Sequence, residues 1–197
     1  MNLPNKITVF RIILSIMLLV LLIFPFDMCG LSWPSYQVFG SITINLEYIV
    51  GGVIFLVASL TDFLDGNIAR KKGLVTDFGK VMDAIADKVL VNGVLIVLAC
   101  NGFINVVIPV IIITRDIFVD SIKMVAGNKG KAVGASLLGK LKTICMMIGL
   151  TLVFFYNLPF ELLNINVAEG LMYAATVLSI ISGIQYYLVN KDFLEEK

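Results

Sequence analysis

The chain has 197 residues, 59% of them apolar and 15% charged, with a net charge of +1 and a mean hydropathy of +0.98. A soluble domain is roughly 45–50% apolar and about 25% charged, so this composition excludes a soluble globular enzyme, a disordered chain and a domain that grips nucleic acid with a basic face. Histidine is absent, which removes histidine bases, Ser–His and Cys–His nucleophile pairs and His-ligated zinc from the available chemistry.

Residues 1–11 contain Pro4 and several polar groups, and they are expected to lie at the membrane interface. Beyond them, apolar runs predict six membrane helices, over 12–26, 46–66, 80–100, 104–124, 138–158 and 170–189. Most are near the length of about 20 residues that a helical span requires, and some are shorter or more polar than an ideal span. The period-two alternation of a membrane β-barrel is missing. The expectation is therefore an all-α polytopic membrane protein: six transmembrane helices behind an N-terminal interfacial segment, forming one domain over 1–197. Cys29, Cys100 and Cys145 lie far apart and read as packing residues. Trp33 and Tyr48 read as anchors at one interface, Tyr186 and Tyr187 at the other.

The bases orient these helices. The intervals 27–45, 101–103 and 159–169 contain no Lys or Arg, and all 15 bases fall near the alternate helix ends, the set that includes both termini. Asp27, Glu47, Glu161 and Glu169 fall at the opposite ends. By the positive-inside rule both termini face the cytoplasm.

The densest polar stretch runs from Thr61 to Lys88, TDFLDGNIARKKGLVTDFGKVMDAIADK. Asp62 and Asp65 lie three residues apart and Asp83 and Asp87 four, so each pair shares a helix face. A carboxylate inside a span costs about 2.5–3.5 kcal/mol at the bilayer centre and less near its edge. Converging carboxylates repel one another and call for cations, and hard oxygen ligands suit Mg²⁺ or Mn²⁺. Gly66, Ala69 and Gly79 leave room for a ligand to approach the backbone. A cytoplasmic site with two metal ions points to chemistry on a phosphate or diphosphate. The bland alternative is a set of interfacial helix caps paired with Arg70, Lys72, Lys80 and Lys88.

A second polar group surrounds Arg115, which interrupts the apolar run IPVIIITRDIFV. Either it pairs with Asp116 or Asp120, or it forms a pocket for an anionic substrate with Lys140, Lys142 and Arg11.

The pattern Asp62-x-x-Asp65-Gly66-x-x-Ala69-Arg70, then Gly79-x-x-x-Asp83-x-x-x-Asp87, resembles the signature of the CDP-alcohol phosphatidyltransferases. The opening NLPNKITVFR and the segments TRDIFVDSIK and ASLLGKLKT resemble members whose acceptor is glycerol 3-phosphate. Asp116 and Lys123 stand where those members more often carry Glu and Arg, with the charge kept.

The resemblance implies that Asp62, Asp65, Asp83 and Asp87 hold two divalent ions and that Asp87 also accepts the proton from the acceptor hydroxyl, with Asp83 beside it in catalysis. It implies that Gly66, Ala69, Arg70, Thr76 and Gly79 receive the diphosphate end of CDP-diacylglycerol, while Asn5 and Thr8 reach its cytidine. It assigns the acceptor phosphate to Arg115, Lys140, Lys142 and Arg11. Homodimers surrounded by membrane lipid are usual in such proteins. Other acceptors remain open at this point: inositol phosphate, serine, or phosphatidylglycerol as in a cardiolipin synthase. A diphosphate-binding prenyltransferase lacks the Gly66-x-x-Ala69-Arg70 continuation. A cation channel or transporter lined by these aspartates leaves it unexplained.

Overall fold

The computed structural model describes residues 3–38, 42–72, 76–128, 134 and 136–194. Six α-helices dominate: α1 (Leu3–Ile23), α2 (Leu46–Lys72), α3 (Asp77–Cys100), α4 (Val107–Asn128), α5 (Leu137–Phe154) and α6 (Val167–Leu194). Each predicted span falls largely on one of them. The physical cause is that long apolar runs must satisfy their backbone polar groups internally when no water is available, and an α-helix does so within one segment. Among the described residues, three helical stretches are long and apolar enough to cross a membrane: Asn5–Ile23, Leu137–Phe154 and Val167–Lys191. Helices α3 and α4 carry charges inside their length, at Asp83, Asp87 and Lys88 and at Arg115, Asp116, Asp120 and Lys123.

Two details depart from the expectation. α1 begins at Leu3, so the polar opening forms the first turns of the first helix. An antiparallel hairpin, β1 (Ser35–Val38) and β2 (Ile42–Asn45), stands between α1 and α2, with Ser35 opposite Asn45 and Val38 opposite Ile42.

The chain divides into two compact units, residues 1–98 with 154–156, and residues 99–153 with 157–197. In the first, α1 packs on α2. Glycine permits the close approach: a Cβ on Gly51 would lie 3.3 Å from both Leu18 and Leu22, and one on Gly93 would lie 2.7 Å from Leu19. Leu18, Phe55, Ala58, Val94, Leu95 and Leu98 are fully buried there. The Phe55 and Phe154 rings sit 5.6 Å apart, and the Tyr156 hydroxyl accepts the Asn45 amide at 2.9 Å. Tyr48 is buried with its ring against Tyr156 rather than standing free as an anchor.

In the second unit α4 packs on α6, around Ile108, Ile112, Leu150 and Met172. Asn157, at φ 55°, secures the entry to α6: its amide donates to Ile165 O at 2.8 Å and its carbonyl accepts the Ala168 amide at 3.0 Å. The three cysteines are free, and Cys29 and Cys100 are exposed rather than packed as expected.

Large apolar side chains also stand exposed along whole helix faces, among them Ile13, Ile16 and Val20 of α1, Ile144 and Ile148 of α5, and Val177, Ile181 and Leu188 of α6. Contiguous apolar surface on this scale is what lipid solvates.

Candidate active site

The first polar group is built in the first unit from three helices. Asn5, Thr8 and Arg11 recur every three residues on α1, and all three are buried. Arg11 is 1% exposed, and its guanidinium bridges two helices, ion-pairing with Asp62 Oδ1 on α2 and lying 3.3 Å from Asp83 Oδ1 on α3. Thr8 Oγ1 donates to the same Asp83 oxygen at 2.8 Å. Ser15, one turn further along α1, donates to the Arg11 carbonyl at 2.8 Å.

Thr76 caps the start of α3 by accepting the Gly79 amide at 3.0 Å, the usual role of a hydroxyl before a helix. Its oxygen also accepts the Asn5 amide at 3.2 Å. A Cβ on Gly79 would lie 2.8 Å from Asn5 Oδ1 and 3.1 Å from Thr76 Oγ1. The space that glycine leaves is thus filled by Asn5 and Thr76, a packing reason for a residue expected to make room for substrate.

Asp87 follows Asp83 by one turn on α3 and is exposed. Asp65, Gly66, Ala69 and Arg70 lie on the helical backbone of α2, and their side-chain environment lies outside the described residues. Arg11, expected with Arg115, Lys140 and Lys142, pairs with Asp62 and Asp83.

The donor chemistry of this group fits a hard divalent cation. Asp62 and Asp83 are 54% and 46% exposed, and each turns one oxygen to Arg11, so lone pairs remain for further ligation. Among the described residues no group of three or more acidic or sulfur ligands closes around a single point.

The second polar group lies in the second unit. Lys142 on α5, 4% exposed, donates to both oxygens of Asp116 at 2.8 Å. Arg115 donates to Asp116 Oδ1 at 2.9 Å and to Ser182 Oγ at 2.8 Å. The pairing of Arg115 with Asp116, one of the two sequence alternatives, is therefore present. Asp120 pairs with Lys123 at 3.6 Å instead. Lys140 is exposed.

Tyr186 is 5% exposed, not an interfacial anchor. Its hydroxyl donates to Gly134 O at 2.7 Å and accepts the Ser136 amide at 3.2 Å. Its ring faces the Arg115 guanidinium at 5.6 Å and the Lys123 ammonium at 5.7 Å. Sequence reading missed Ser182, Gly183 and the inward role of Tyr186. Their one sequence signal is the small-residue series Ser179, Ser182, Gly183 ahead of Tyr186 on a single helix face.

The family model described as CDP-alcohol phosphatidyltransferase matches residues 1–181. The chain is 36% identical over 194 residues to a Bacillus subtilis protein named CDP-diacylglycerol–glycerol-3-phosphate 3-phosphatidyltransferase, covering 98% of this chain and 97% of that one. A Rickettsia typhi protein of the same name is 32% identical over 98% of both chains. One from Mycoplasma genitalium is 37% identical over 76% of this chain and 63% of its own length. With a family model matching residues 1–181 and a relative 36% identical over nearly the whole of both chains, the chain belongs to the CDP-alcohol phosphatidyltransferase family.

Proposed function

We propose that this protein transfers the phosphatidyl group of CDP-diacylglycerol to glycerol 3-phosphate, yielding phosphatidylglycerophosphate and CMP. The observation that carries this reading is the near-complete match to relatives named for that reaction. The Asp62–Arg11–Asp83 arrangement and the buried cations at Asp116 support it.

In the proposed mechanism the acceptor hydroxyl of glycerol 3-phosphate gives its proton to Asp87 and attacks the β-phosphorus, which carries diacylglycerol. The bond from that phosphorus to the bridging oxygen breaks, and its electron pair leaves with CMP. With no histidine in the chain, a carboxylate is the available base. Asp62, Asp65, Asp83 and Asp87 would hold two Mg²⁺ or Mn²⁺ ions, which when bound supply charge neutralisation on the diphosphate. Arg11 and Thr8 keep Asp83 in place, Asn5, Thr76 and Gly79 fix the start of α3 beside it, and Arg70 pairs with the diphosphate where Gly66 and Ala69 admit it. Arg115, Lys140 and Lys142 bind the acceptor phosphate, a dianion that serine or inositol lacks.

The same reading makes the chain one membrane domain of six spans with cytoplasmic termini, acting as a homodimer and receiving its lipid substrate laterally. The absence of Lys and Arg from the intervals 27–45, 101–103 and 159–169 supports the orientation. An acceptor screen with labelled CDP-diacylglycerol tests the function. Metal-dependent CMP release with glycerol 3-phosphate is expected. Turnover with serine, inositol phosphate or phosphatidylglycerol, and none with glycerol 3-phosphate, would replace the acceptor. Ion flux without turnover would replace the class.

A further inference from the structure

Arg115 is held from below by one face of α6. Ser179, Ser182, Gly183 and Tyr186 recur at helical spacing on that face, and all four are buried. Ser182 Oγ accepts the Arg115 guanidinium at 2.8 Å and itself donates to Ser179 O at 3.1 Å, which turns its lone pair toward the arginine. Tyr186 lies under the guanidinium at 5.6 Å, a cation–π distance, with its hydroxyl tied to the backbone of residues 134 and 136. Gly183 lets the side chain pass: a Cβ there would lie 3.0 Å from Arg115 Cγ and 3.7 Å from Nε.

Arg115 also borders a groove of about 620 Å³, walled mainly by apolar side chains such as Val110, Phe118, Ile180 and Ile184, with Thr114 and Tyr187 as its hydroxyl-bearing members. A guanidinium swung toward the apolar walls would give up its bonds to Asp116 and Ser182. In the structure Asp116 and Ser182 each take one terminal nitrogen, while Nε is buried with no hydrogen-bond partner among the described residues.

We propose that Ser182, Gly183 and Tyr186 are positioning residues that set the orientation of Arg115 toward the acceptor phosphate and so tune acceptor specificity. The inference rests on the reading of Arg115 as an acceptor-phosphate ligand. It is tested by steady-state kinetics in detergent micelles with both substrates varied, on Ser182→Ala, Gly183→Ala, Tyr186→Leu and Arg115→Gln. Each α6 variant is expected to raise KM for glycerol 3-phosphate about tenfold, the scale of one hydrogen bond to a charged group. KM for CDP-diacylglycerol stays unchanged. In the Arg115→Gln background Ser182→Ala is expected to add nothing, because residues acting through one partner are non-additive. Merely structural residues would instead lower the active fraction and leave both KM values alone, which overturns the inference. A rise in KM with Arg115→Gln but with none of the α6 variants overturns it as well, and leaves the acceptor reading standing. No change in KM with Arg115→Gln removes the acceptor reading itself. Ser182→Ala, which deletes one oxygen and adds no bulk, gives a folded variant should Gly183→Ala fail to accumulate.

Discussion

Thr8 on α1 donates its hydroxyl to Asp83 on α3 at 2.8 Å, across 75 residues of sequence. The first helix is therefore more than an apolar segment; through Thr8 and Arg11 it orients a carboxylate of the signature. Groups that orient ligands in this way commonly change metal affinity about 10–100-fold when removed. Thr8→Val, which keeps the shape and deletes the donor, is expected to raise the Mg²⁺ concentration for half-maximal activity about tenfold. An unchanged metal titration would remove Thr8 from this role.

Asp87 is the proposed base. Loss of a general base typically costs about 10²–10⁴ in rate, and Asp87→Asn is expected to fall in that range at saturating substrate and metal. Near-normal, metal-dependent CMP release by the purified variant would sink the assignment.

Gly79 carries a packing prediction. Its missing Cβ is what allows Asn5 Oδ1 and Thr76 Oγ1 to sit where they do. Gly79→Ala should destabilise the protein by about 1–3 kcal/mol, as overpacking does. The double variant Asn5→Ala/Gly79→Ala should lose less than the sum of the singles, because one clash is then removed. Thermal unfolding in detergent reads both, and strict additivity would argue against the contact.

Two of the ion pairs made by α4 should behave differently. Asp116 and Lys142 are 15% and 5% exposed, and breaking a buried pair costs about 3–5 kcal/mol. Asp120 and Lys123 are 49% and 44% exposed, where a pair is worth about 0–1 kcal/mol. Asp116→Asn is expected to lower the unfolding midpoint clearly and Asp120→Asn barely. Equal effects would contradict the burial argument.

Orientation is read by cysteine labelling of intact cells. With Cys29, Cys100 and Cys145 replaced, Leu74→Cys should be shielded from an impermeant reagent and Asn164→Cys should react. Labelling of both from one side would overturn the even span count or the positive-inside assignment.

The sequence by itself determined the helical class, the approximate place of every helix and the identity of the acidic group. Hydropathy runs of span length and carboxylates at three- and four-residue spacing are local properties, so no knowledge of the fold is needed to see them. The family signature is also local, confined to Asp62–Asp87.

What only the tertiary structure decided is which distant groups answer those local ones. Arg11 was expected with the other cations, yet it lies between Asp62 and Asp83, because α1 packs on α2 and presents its Asn5–Thr8–Arg11 face to the carboxylates. Tyr186 had the composition of an interfacial anchor, and the packing of α6 on α4 turned it inward beneath Arg115. Gly79 was read as room for substrate, but the space it leaves holds Asn5, and Gly183, which drew no notice in the sequence, clears space for an arginine. Such roles depend on the rotation of one helix against another. That rotation is set by side-chain packing over the whole interface, and no local sequence pattern encodes it.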